Sequence, residues 1–211
     1  MRVLLVLAQG FEDLEAVSVV DVMGWTEYRE WVPTVEVVTA GFGETVRSRF
    51  GLAVQPDLQI DAVDAGDFQA LAIPGGFHSH GFDEAYDDRL RQLARAVHSA
   101  GGWIATLCVG VLPVAEAGLL RGRRAVSYPH SRHHNNLGRL RELGAQVIDD
   151  ERVVVDNRII SCAGPASSLE VAYRLLEALV GPEHGAEVRR LMCDNLPIDK
   201  GEVDVQDQTH R

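Results

Sequence analysis

The sequence predicts an α/β domain: a doubly wound, mostly parallel sheet with helices on both faces. Short apolar runs rich in β-branched residues alternate with amphipathic runs along the 211-residue chain, which is the pattern of repeated βαβ units. Several of these runs are apolar at consecutive positions, as in strands buried on both faces. No linker, internal repeat or low-complexity segment interrupts the alternation, and the length suits one domain.

Val3 to Ala8 reads as the first buried strand. It is too short, and too quickly followed by the acidic segment Glu12-Asp13, to read as a signal peptide. Glu12 and Asp13 open a helix whose acidic first turn suits the helix dipole, and Leu14, Val17 and Val20 are expected on its inner face. Thr34 to Ala40 is a second strand, and Arg47 to Ile60 a hairpin or loose strand pair. Leu71 to Ile73 is a short strand ending at Pro74-Gly75-Gly76. Asp83 is expected to cap a helix carrying Tyr86, Leu90, Leu93, Ala94 and Val97 on one face.

Trp103 to Leu107 is the next strand, Cys108 follows at once, and Gly110 to Leu120 returns as a helix. Beyond a basic turn and short strand over 121–132, Leu137 to Leu143 is helical. Strands flank an Asp156-Asn157 turn. Helices cover Ser168 to Leu179 and Glu183 to Met192. The expected organisation is one domain over 1–193 and a polar tail over 194–211.

The net charge of -11 disfavours nucleic acid and anionic membrane as partners, since both would be repelled. No run approaches the roughly 20 apolar residues of a membrane span. The three cysteines, Cys108, Cys162 and Cys193, are widely spaced with no Cys-x-x-Cys, which fits free thiols in a reducing cytoplasm. There is no phosphate loop or dinucleotide fingerprint.

In doubly wound folds, function collects at the carboxyl ends of the strands. Cys108 sits there, between strand and helix in Ile104-Ala105-Thr106-Leu107-Cys108-Val109-Gly110. That tight turn presents a side chain as a nucleophile elbow does, and a following helix N-terminus would lower the thiol pKa. The alternative is a small buried core residue. Gly75-Gly76 either aims backbone amides at a developing oxyanion or makes a turn. Glu15, one turn into the first helix, is either an ordinary first-turn acid or a carboxyl exchanging a proton with Cys108. His78 and His80, with His130, His133 and His134, read as polar loops rimming a cleft, from which one or two imidazoles touch substrate; no metal or other cofactor is expected.

Four blocks together resemble the ThiJ/PfpI superfamily, that of the Parkinsonism-associated protein deglycase and its glutamine-amidotransferase-like relatives. They are Ala8 to Ala16, Ile73 to Gly76, Cys108 to Gly110 and Ala117 to Ala125. The resemblance implies a flavodoxin-like sandwich, usually a homodimer, with a reactive cysteine at Cys108 and a glutamate hydrogen-bonded to it at Glu15. It also implies backbone oxyanion donors around Gly75, Gly76 and Val109. The sequence departs from the family at two places. Protease-like members carry histidine where Val109 stands, which argues against a Cys-His peptidase. Deglycase and glyoxalase members carry histidine where Tyr128 stands, before Pro129, with His130 just beyond. Tyr128, His130, His78 and His80 are the expected substrate contacts. The resemblance implies a cofactor-free glyoxalase- or deglycase-like enzyme acting on 2-oxoaldehydes. An isocyanide-hydratase-like reaction of the same thiol is an alternative, although such members usually have aspartate in place of Glu15. A non-enzymatic redox sensor or chaperone-like protein is a third reading.

Overall fold

The computed structural model describes residues 1–197. The β-branched, apolar runs become a seven-stranded central sheet. In chain order the elements are β1 (Arg2–Leu7), α1 (Asp13–Gly24), β2 (Glu36–Gly41), β3 (Val46–Arg47), β4 (Ala53–Val54), β5 (Leu58–Gln59), β6 (Ala70–Ile73), α2 (Asp88–Ser99), β7 (Trp103–Thr106) and α3 (Val111–Glu116). There follow β8 (Arg124–Ala125), α4 (Asn136–Glu142), β9 (Gln146–Val147), β10 (Val153–Asp156), β11 (Ile159–Cys162), α5 (Ser168–Val180) and α6 (Pro182–Leu191). The sheet order is β10-β11-β7-β6-β1-β2-β5. All pairings are parallel except β10 with β11. This is the flavodoxin-like α/β fold that the sequence predicts.

The strand period of two divides the core. Val3, Leu5 and Leu7 pack with Ala105, Leu107 and Ile160 under α1 and α5. Leu4 and Val6 pack with Leu71, Ile73 and Ile104 under α2 and α3. From β1 the chain runs outward to β2 and β5, then crosses back to β6 and β7 on the other side of β1. The order therefore reverses between β1 and β6, and the crevice at such a switch point opens at the carboxyl ends of the strands. Ala8 to Glu12, Pro74 to Gly76 and Leu107-Cys108 all follow strands there.

Several local expectations are corrected. Leu14, Val17 and Val20 of α1 are 50%, 46% and 45% exposed, whereas Glu15, Ala16, Ser18, Val19, Val22 and Met23 are buried. Both helix faces carry apolar residues, and the face that docks includes a carboxyl and a hydroxyl. Asp83 does not cap the second helix. Phe82–Tyr86 is a 3₁₀ segment, and Asp87 caps α2 by accepting the Arg89 N–H. The helix after Cys108 is also shorter than expected, with a 3₁₀ turn over Cys108–Gly110 preceding the six residues of α3. The expected 47–60 hairpin is the antiparallel pair β3–β4, while β5 joins the central sheet. Of the expected tail, residues 198–211 lie outside the described residues.

Gly110 fixes how closely the segment after β7 approaches the end of β6. A Cβ there would stand 2.4 Å from the Ile73 carbonyl oxygen and 2.8 Å from that of Pro74. The φ of Gly110 is −60°, so space, not backbone conformation, demands glycine. Gly110→Ala is expected to destabilise the fold by about 1–3 kcal/mol through overpacking against backbone, read as a lower urea midpoint; an unchanged midpoint would refute this close approach.

Candidate active site

Cys108 follows the last residues of β7 with φ +53°, a left-handed conformation that costs a non-glycine residue on the order of 1–3 kcal/mol. The turn is held on several sides. Gly110 N–H donates to the Leu107 carbonyl, Leu107 N–H to the Ile73 carbonyl, and the Ser127 hydroxyl to the Cys108 carbonyl at 3.1 Å. The half-buried thiol faces Gly75, where an added Cβ would lie 2.8 Å from the Cys108 Cβ and 3.0 Å from Glu15 Oε2. The missing side chain at Gly75 is the space in which thiol and carboxyl meet.

Glu15 is wholly buried. Its Oε2 accepts the Gly75 N–H at 2.7 Å, and its Oε1 has no conventional hydrogen-bond partner. The Cys108 thiol lies against the same carboxyl as a weak donor. Burial pushes the Glu15 pKa up to about 8, opposed in part by the Gly75 amide. Burial and the Glu15 charge push the Cys108 thiol up, while the Val109 N–H directed at the sulfur pulls it down. The expected helix-terminus effect is thus outweighed, because a 3₁₀ turn and a six-residue helix offset little of the desolvation. Protonation of Glu15 removes its repulsion of the sulfur, so thiol and carboxyl titrate as one unit. Cys162, fully buried at the end of β11, receives the Cys108 N–H on its sulfur, and burial pushes its pKa up to about 12.

A cleft of about 450 Å³ opens above this pair. Cys108, Gly76 and Val109 form its floor, with Tyr128, His130 and His78 on its walls. Two expectations are corrected. The Gly75 amide is spent on Glu15 and is not free for an oxyanion; the Gly76 N–H makes no hydrogen bond among the described residues. His80 does not line the cleft; its Nδ1 hydrogen-bonds Ser79 at 2.9 Å on the exposed side of the loop. His78 is anchored by Asp83 at 2.6 Å and stacks on Tyr86.

Glu12, read from the sequence as a plain first-turn acid, both lines the cleft and caps α1, accepting the Glu15 N–H at 2.8 Å. Glutamate is not among the preferred N-cap residues, so no capping signal marked it. Phe77, Arg132, His133, His134, Asn136 and Pro165 also line the cleft. Most come from the two loops beside the expected contacts; Pro165, after β11, was marked by no sequence signal.

The profile of the DJ-1/PfpI family matches residues 1–178. The chain belongs to the DJ-1/PfpI family. It is 29% identical over 192 residues to the DJ-1beta protein of Drosophila melanogaster, spanning 89% of this chain and 94% of that protein. It is 31% identical over 167 residues to a deglycase of Pyrococcus horikoshii, spanning 79% of this chain and 92% of the relative. The crystal structure of Drosophila DJ-1beta superposes with a TM-score of 0.77 at 28% identity, covering 91% of this chain and 97% of that one. Among the described residues, no helix is long and apolar enough to cross a membrane.

The raised Glu15 pKa has a definite sign in stability. Between its unfolded value near 4.5 and its folded value of about 8, the native state of this DJ-1/PfpI protein holds a proton that the unfolded chain has released. Stability from this group is therefore full at low pH and is lost as pH rises through that window. Glu15→Gln cannot titrate. Its stability relative to the natural protein is expected to rise by more than about 1 kcal/mol between pH 5 and pH 8.5, measured by urea unfolding; parallel pH profiles would count against a protonated Glu15.

Proposed function

We propose that this protein is a cysteine-dependent, cofactor-free enzyme of the deglycase or glyoxalase type, acting on small 2-oxoaldehydes or their adducts. The observation that carries this reading is the juxtaposition of the Cys108 thiol and the buried Glu15 carboxyl, whose Oε1 has no conventional partner. In the first step the Cys108 sulfur bonds to the aldehyde carbon, and the carbonyl oxygen takes the shared proton to give a hemithioacetal. The Gly76 amide, which makes no hydrogen bond among the described residues, steadies the developing oxyanion, while the Val109 N–H, directed at the Cys108 sulfur, favours its thiolate. A proton relayed through Glu15 leaves the former aldehyde carbon and returns to the neighbouring carbon, leaving the thioester of a 2-hydroxy acid. Water then hydrolyses that thioester, so the net change is 2-oxoaldehyde plus water giving 2-hydroxy acid. Relatives named as deglycases, at about 30% identity, support this class of reaction. With valine after the cysteine, the site lacks the imidazole neighbour of a Cys-His peptidase.

Cys108→Ser is expected to lower turnover of methylglyoxal to lactate by at least about a thousandfold, followed by product chromatography. Retained turnover in that variant would remove the mechanism.

We further propose a cytoplasmic homodimer in which α1 packs against its copy, a reading supported by the exposed stripe of Leu14, Val17 and Val20. Burial of apolar area of this kind stabilises association by about 25 cal/mol per Å² before its costs. The natural protein is expected to sediment at twice its 23.1 kDa chain mass, and Val17→Asp as a monomer. A natural protein that sediments as a monomer at about 50 μM, a concentration that populates even weak micromolar dimers, would refute the dimer.

A further inference from the structure

The cleft is lined in a way that its floor does not explain. In a chain of net charge -11, its wall holds one acidic residue, Glu12, which is almost wholly buried and engaged by the Glu15 amide. The rest of the ionisable lining, apart from the Cys108 thiol and the Tyr128 phenol, is basic: Arg132 with His78, His130, His133 and His134. Arg132 is exposed and has no carboxylate partner among the described residues. Its neighbours in the chain are neutralised: Arg124 pairs with Glu151, Arg139 with Glu116 and Glu142, and Arg141 with Asp149. The loop that carries Arg132 has a defined shape. Ser131 Oγ accepts the His134 N–H at 3.2 Å, and the Asn136 amide donates to the Tyr128 carbonyl at 2.9 Å.

Across the cleft, Phe77 supports a second guanidinium, that of Arg49, at 5.6 Å from its ring centroid. Arg49 likewise lacks a carboxylate partner among the described residues. The cleft volume of about 450 Å³ lies in the range that holds ligands much larger than a three-carbon oxoaldehyde. A small neutral substrate on Cys108 would leave this basic end unfilled.

We propose that the natural substrate carries an anionic group, a carboxylate or a phosphate, which docks on Arg132 and the imidazoles beside it while its electrophilic carbon meets Cys108. The second half of this statement rests on the proposed thiol chemistry; the first does not. A guanidinium presents a planar fork of donors that matches carboxylate and phosphate oxygens. The reversal of charge sign at the cleft mouth would also draw anions in against the field of the whole molecule.

Two measurements on the full-length protein test this. In the first, Cys108 is alkylated by iodoacetate and by iodoacetamide, followed by peptide mapping to separate it from Cys162 and Cys193. The iodoacetate-to-iodoacetamide rate ratio at Cys108 is expected to exceed that of free 2-mercaptoethanol by about threefold or more at low salt. The excess is expected to vanish near 1 M salt and to shrink in Arg132→Ala. In the second, the Cys108→Ser protein is expected to show a higher Tm with millimolar pyruvate or inorganic phosphate, but not with methyl pyruvate. Replacement of Arg132 by alanine in that background is expected to abolish the shift. Stabilisation by pyruvate alone assigns the anion as a carboxylate, and by phosphate alone as a phosphate. An equal alkylation ratio together with no anion-dependent shift would overturn the proposal while leaving the thiol chemistry standing. A Cys108 inert to both reagents, with the anion shift intact, would instead strike at the thiol chemistry alone.

Discussion

The 2.7 Å hydrogen bond from Gly75 N–H to Glu15 Oε2 ties together the three strand ends on which this site depends. A carboxyl with no exposed surface would ordinarily cost several kcal/mol. Here one oxygen is satisfied by the amide, and protonation removes the charge. The amide is available only because β6 ends in Pro74-Gly75-Gly76, whose backbone leaves its strand line and bridges to Phe11. Glu12 N–H donates to the Gly75 carbonyl and Phe77 N–H to the Gly10 carbonyl. The same glycine stands against the Cys108 Cβ. Carboxyl, amide and thiol are thus positioned by one short stretch of backbone, and a side chain at Gly75 would separate all three.

How much of this was legible in the sequence follows from which forces set each element. The central strands were, because double burial leaves a run of apolar, β-branched residues that few other structures produce. Cys108 was legible by position, as the residue between a buried strand and a helix. The orientation of α1 was not. Periodicity assigns the inner face to apolar residues, yet this helix buries Glu15 and Ser18 and exposes Leu14, Val17 and Val20. A helix that carries a carboxyl inward breaks the rule used to orient it. Glu12 was illegible for a related reason, since its cap is formed by a residue type that caps rarely. The raised pKa of the thiol was misread because the sequence shows a turn before a helix but not the depth at which that turn is buried.

The cleft wall shows a third limit. The loops around Phe77 and Tyr128 could be named as walls because they follow strand ends or cluster histidines. Their charge balance could not, because pairing decides whether an arginine is an available cation or half of a neutral pair. This chain has 20 basic and 31 acidic residues, so an unpaired arginine is the less expected state. Arg139 and Arg132 lie seven positions apart, and among the described residues one holds two carboxylates and the other none.

One helix serves both the site and the outer surface. Glu15 points inward to Gly75 and Cys108, while Leu14 and Val17, its neighbours on the opposite face, stand half exposed. A helix has no freedom to adjust one face without the other, because its residues share one rigid backbone. Any partner that covers Leu14 and Val17 therefore restricts the same turn whose amides and carboxyls, Glu12 and Glu15, line and underlie the cleft. The carboxyl depends on where that turn sits. Its hydrogen bond to Gly75 spans 60 residues of sequence, and a displacement of α1 of about 1 Å would carry it out of hydrogen-bonding range. The placement of Glu15 and the exposure of the outer stripe of α1 are thus both set by the position of a single turn.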